Sequence, residues 1–96
     1  MPKAYWISHI TVTDAEKYGE YAKRASVAIA DHGGEFKVRG GRFIQMEGKE
    51  RSRNVVAIFP SFDAAVTCYN SDLYQEALGF AREASERELV IVEAPE

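Results

Sequence analysis

Five side chains in this 96-residue sequence have the type and placement to do chemistry: His9, Arg39, Tyr69, Tyr74 and Arg82. Arg39 stands beside the pair Gly40-Gly41. Glycine in an extended run permits a bulge or a close approach to a ligand, and a guanidinium fork there suits a carboxylate or phosphate. An ion pair with Glu47 across a hairpin would employ the same fork. Tyr69 and Tyr74, with Arg82 about two helical turns beyond Tyr74, converge if their helix turns at Asn70-Ser71. Phenols that donate hydrogen bonds beside an arginine fit an aromatic or enolic acid. The bland reading is a pair of core tyrosines with wet tips. His9 falls mid-strand and is the one candidate for a catalytic general base near neutral pH, or else a hydrogen-bonded packing residue.

Other candidates are weaker. His32 sits where a helix should end, and an imidazolium there favours the helix dipole. Cys68 has no identifiable activating partner. His9, His32 and Cys68 lack any metal-ligand spacing, so no metal and no cofactor is expected. Lys49, Arg51 and Arg53, mixed with Glu47 and Glu50, read as a solvated hairpin tip. Arg39-Gly40-Gly41-Arg42-Phe43-Ile44 superficially resembles an RNA-binding strand motif, but Gly41 and Met46 stand where stacking aromatics are needed.

The elements that must position these residues follow from periodicity. Ala4 to Val12 alternates as a strand. Thr13-Asp14-Ala15-Glu16 is a capping box, with Asp14 as an alternative cap. The helix it opens runs to about Asp31, with Tyr18, Tyr21, Ala22, Ala25, Ala28 and Ile29 as its apolar stripe. Gly33-Gly34 stops it. Glu35 to Met46 is expected as a strand kinked at Gly40-Gly41, then a polar turn over 47–54. Val55 to Phe59 is a strand ended by Pro60. Ser61 caps a second helix, broken at Asn70-Ser71 and renewed by Ser71 through about Glu86. Leu89 to Val92 is the last strand.

The order β-α-β-β-α-β predicts an α+β, ferredoxin-like sandwich: a four-stranded antiparallel sheet with its helices on one face. The stretches 55–59 and 89–92 are apolar at every position, which predicts burial on both faces. Two helices cover one face only. The other predicts a sheet-to-sheet homodimer.

Composition bounds the partners. Net charge is -3 with a pI near 5.4, which argues against nucleic acid, where a basic face is required. No apolar run is long enough for a membrane span or a signal peptide. A single cysteine excludes an internal disulfide, and a cytoplasmic location is expected.

Tyr5-Trp6-Ile7, Val12-Thr13-Asp14, Tyr18-x-x-Tyr21, Gly33-Gly34-x-Phe36-x-x-Arg39-Gly40-Gly41 and Glu47-Gly48 form an ordered set. Arg53, Phe59-Pro60-Ser61, Tyr69-x-Ser71-x-x-Tyr74 and Leu89-Val90-Ile91-Val92-Glu93 complete it. Together they resemble the DUF1330 family over nearly the whole chain. The resemblance implies a dimeric α+β barrel of unassigned activity. Similar folds include cofactor-independent monooxygenases and lactone isomerases, so the expected function is binding of a small acidic or aromatic molecule between helices and sheet, with oxygenase or isomerase chemistry. The alternative is a non-catalytic dimeric binding or scaffold protein. Cys68 departs from the tryptophan that relatives often carry; where that tryptophan lines a pocket, the resemblance implies a wider or differently shaped one here.

Overall fold

A computed structural model describes residues 1–95 of the chain. The elements run β1 (Ala4–Val12), α1 (Ala15–Asp31), β2 (Glu35–Arg39), β3 (Arg53–Phe59), α2 (Phe62–Asn70), α3 (Asp72–Ala84) and β4 (Ser85–Glu93). The sheet is antiparallel and ordered β2-β3-β1-β4, the ferredoxin-like arrangement. It is open, with β2 and β4 at its edges.

Local chemistry sets the boundaries. Asp14, rather than Thr13, caps α1, accepting from the Lys17 amide at 3.1 Å. The helix closes in a Schellman turn: Gly34 N donates to Ile29 O at 2.8 Å while Gly33 takes φ +82°. Ser61 and Ser71 cap α2 and α3 through the Ala64 and Tyr74 amides, so the break at Asn70-Ser71 is real.

Two boundaries differ from expectation. The second strand ends at Arg39 instead of Met46, because Gly40 turns the chain at φ +74° after its amide bonds Asn54 O at 2.9 Å. Phe43, Ile44 and Met46 therefore stand exposed in a loop. The last helix stops at Ala84, and β4 begins at once, four residues before the apolar run. Pairing of Ser85 to Glu88 with Val12 to His9 outweighs the helix propensity of Glu86, Arg87 and Glu88.

The helices cover one face. Trp6, Ile10, Ala57 and Phe59 of the sheet pack there against Tyr21, Ala25, Ala28 and Ile29 of α1 and Tyr74, Ala77 and Ala81 of α3. Trp6 stacks on Phe59 at 5.5 Å and receives Tyr74 edge-on at 5.1 Å. Small residues let α1 and α3 approach closely, and Lys17–Glu83 (2.6 Å) and Arg24–Glu76 (3.1 Å) pair across their outer rim. The opposite face carries Tyr5, Ile7, Val56, Ile58, Val90 and Val92 in register. Val90 and Val92 are 51% and 45% exposed, so in the single chain these strands are buried on one face only.

Candidate functional site

Along β4 the side chains alternate: Ser85, Arg87, Leu89 and Ile91 face the helices, while Glu86, Glu88, Val90 and Val92 face away. Because α3 runs straight into β4, the two elements diverge from a shared corner and leave the helix-side of this edge strand partly uncovered. The resulting open cleft has a volume of about 500 Å³ and is walled by Tyr69, Leu78, Ala81, Arg82, Ser85, Arg87, Leu89 and Ile91. Its size matches a small organic molecule.

Arg87 forms the floor. Its Nη2 donates to Tyr21 Oη at 2.9 Å and to Tyr74 Oη at 3.3 Å, and the guanidinium lies 4.6 Å over the Tyr21 ring. The two phenols bond each other at 2.8 Å. Burial lifts both above the ordinary tyrosine value, against the opposing pull of Arg87, so they stay neutral at physiological pH. Only one phenol proton is used between them, leaving the second without an acceptor in this trio. The buried Nε of Arg87 has no hydrogen-bond partner, and among the described residues no carboxylate lies within ion-pair distance of Arg87 or Arg82. A half-buried cation satisfied only by neutral phenols is short of a counter-charge.

The sequence candidates divide among three places. Tyr69 and Arg82 do meet, on the wall and at the mouth of this cleft. Tyr74 stacks 5.2 Å from Tyr69 but is fully buried behind the floor, reaching the cleft only through Arg87. Arg39 lies at the far edge of the sheet, where its Nη2 donates to Ser26 Oγ at 2.6 Å and its guanidinium covers Phe36 at 4.2 Å. It makes no ion pair with Glu47 among the described residues. His9 is on the opposite face altogether, exposed, its Nδ1 donating to Asn54 Oδ1 at 2.7 Å with Glu88 as its cross-strand neighbour.

Cys68 is not on the wall of the cleft. Its buried thiol contacts Ala28 O at 3.5 Å, and burial pushes its pKa up to about 12. Arg87 escaped the sequence reading because it fell between a helix taken to Glu86 and a strand taken from Leu89. The alternation Ser85-x-Arg87-x-Leu89-x-Ile91 was the available signal. Among the described residues, no three His, Cys, Asp or Glu side chains cluster to hold a metal ion, and no helix is long and apolar enough to cross a membrane.

Comparison with known proteins agrees with this architecture. The family described as a domain of unknown function, DUF1330, matches residues 3–95. No curated protein matches. A protein of unknown function from Rhodopseudomonas palustris is similar in structure at a TM-score of 0.79 and 17% identity, over 99% of this chain and 84% of that one. SnoaB, a cofactor-independent oxygenase from Streptomyces nogalater, is similar at 0.71 and 15%, over 100% and 96%. A dimeric protein of unknown function and ferredoxin-like fold from Bacteroides fragilis is similar at 0.65 and 12%, over 96% of each chain. At these identities the likeness is one of fold alone.

Proposed function

Because this chain belongs to the DUF1330 family, a domain of unknown function, we propose a reading from the site itself: a cytoplasmic homodimer that binds a small apolar or aromatic acid between α3 and β4. The observation that carries it is Arg87, a cation on the floor of a roomy cleft with an unpartnered Nε and only neutral phenols for company. An incoming carboxylate would supply the missing counter-charge to the guanidinium. Tyr69, Leu78, Leu89 and Ile91 would take the hydrocarbon body, and Arg82 at the mouth would draw the anion in. Dimer formation through the face bearing Ile7, Val56 and Val90 would leave this cleft free, because it opens on the helix side.

Binding is favoured over general-base catalysis, since among the described residues no His, Asp or Glu lines the cleft and His9 lies across the sheet. The resemblance in fold to a cofactor-independent oxygenase supports a second reading, in which the bound molecule is acidic enough to react as its own anion. In that reading the spare phenol proton of the Tyr21–Tyr74 pair polarises its oxygen through a hydrogen bond. The closed Tyr21–Tyr74 pair favours the rival scaffold role for those two residues, while the open wall favours a ligand.

Calorimetric titration with benzoate and with aliphatic acids of matched length tests the proposal. A saturable heat that disappears in Arg87→Met and survives Arg39→Ala is expected. Equal binding by Arg87→Met, or no thermal stabilisation by any acid at 100 times the dissociation constant, where about 2.7 kcal/mol should appear, would remove it.

A further inference from the structure

We infer that a second, smaller cleft under α1 is a separate binding site, shaped for a phosphoryl group. It lies on the other side of Tyr21 from the Arg87 floor, and Arg39, Arg53, Ser8, Ser26, Tyr18 and Tyr21 contribute to its wall. Arg39 pairs with Val55 across the β2–β3 ladder, after a bulge between Phe36 and Val38 that turns Arg39 toward the helices. Arg53, two residues before Val55, is thereby its diagonal neighbour on the same face.

The Arg39 guanidinium is held in place. Ser26 donates its hydroxyl proton to Ala22 O at 2.7 Å, which leaves its oxygen to accept from Arg39. Phe36 fixes the plane of the Arg39 fork from one side. The Arg53 fork rests against Gly40, where any side chain would collide with Nη1. The glycine thus meets two demands at once, a positive φ and room for the arginine. Ser8, only 2% exposed, adds a hydroxyl from β1. Among the described residues neither arginine has a carboxylate within ion-pair distance, so two like charges converge on one cleft uncompensated.

The ligand class follows from size and valence. The free space is about 30 Å³, above the roughly 10–15 Å³ that one water requires and too small for a ring. A single oxyanion group fits, with any organic remainder outside. One arginine fork engages both oxygens of a carboxylate and matches its single charge. Two guanidinium groups without carboxylate partners and the Ser8 hydroxyl call for a phosphoryl group, with three oxygens and a larger charge.

Titration of the labelled protein with inorganic phosphate at constant ionic strength, followed by the arginine Nε–Hε and backbone amide signals, tests the site. Saturable shifts centred on Arg39, Arg53, Gly40 and Ser26 are expected, with acetate at least tenfold weaker. Phenyl phosphate as a second arm separates a free phosphate site, where it binds no better, from a phosphomonoester site, where it binds tighter. Arg53→Ala should weaken phosphate binding at least thirtyfold, and Lys3→Ala, which removes the same charge at an exposed residue outside the cleft, should leave it unchanged. Arg53→Lys keeps the charge without the fork, so undiminished binding by that folded variant would overturn the fork geometry. Shifts centred on Arg82 and Arg87 would also overturn the inference while supporting the acid site; absence of any saturable shift would overturn it and leave the acid site untouched.

Discussion

Replacing Arg87 with methionine separates a ligand-binding arginine from a structural one. The substitution removes two charge-assisted hydrogen bonds, to Tyr21 and Tyr74, and the stack over the Tyr21 ring. Bonds of that kind contribute about 1.5–3 kcal/mol each, and the stack about 0.5–2 kcal/mol. Against this stands the desolvation of a half-buried guanidinium, several kcal/mol. Its unpartnered Nε costs about 1–3 kcal/mol more. Methionine keeps the apolar stem, and the phenols retain their bond to each other. The opposing sums nearly cancel, so stability should change by no more than about 1 kcal/mol, or about 4–8 °C in Tm for a domain of this size. Acid binding, by contrast, should weaken by about 2–3 kcal/mol, roughly 30- to 150-fold. Thermal unfolding by circular dichroism and titration with benzoate on the same samples measure both. A Tm lowered by more than about 15 °C with benzoate affinity intact would make Arg87 a buttress of the core and refute its role as an anion receptor.

Gly34→Ala should destabilise the fold by about 1–3 kcal/mol, because its Cβ would lie 2.6 Å from Ile29 Cγ2 and 2.8 Å from the Phe59 ring; urea unfolding measures it, and an unchanged midpoint would contradict the packing. Val90→Glu should convert the dimer to a folded monomer in sedimentation velocity, since Val90 sits opposite Ile7 on the exposed face; a Val90→Glu protein that still sediments as a dimer would place the interface elsewhere. Alkali should weaken the fold from about pH 9 upward. The Cys68 thiol is raised from 9.0 to about 12, and the Tyr21 and Tyr74 phenols lie above 10.0, all chiefly through burial. The unfolded chain releases these protons first, so their stabilising effect is complete below pH 9 and drains away as pH climbs toward 12. Urea midpoints from pH 8 to 11 report it, Cys68→Ala should blunt the earliest part of the decline, and a flat profile would count against burial of these groups.

Much of the fold was legible in local sequence. The caps at Ser61 and Ser71, the glycine stop at 33–34 and the stripe through Tyr18, Tyr21, Ala25 and Ile29 all operate within a few residues, where pattern and cause coincide. The errors arose where distant pairing decides. Phe43 to Met46 has strand composition but no ladder partner, because β3 starts only at Arg53. Ser85 to Glu88 reads as helix and is taken by β1 instead. The site suffered more than the fold. Tyr69 and Arg82 come together because the helix breaks at Ser71 between them, a local signal, whereas Arg87 depends on a strand register that periodicity does not reveal. His9 and the tyrosines are alike in chemistry and lie on opposite sides of the sheet, which strand parity settles only once the core face is known.

Tyr21 borders both clefts: its hydroxyl receives Arg87 on one side, and it lines the chamber that Arg53 also borders on the other. The side chain is a party wall. With both proposed clefts filled, an occupant that pulled Arg87 off the hydroxyl would loosen the partition bounding the neighbouring chamber, and thermodynamic reciprocity would require the neighbour to answer in equal measure. Two such tenants would sense each other through one tyrosine.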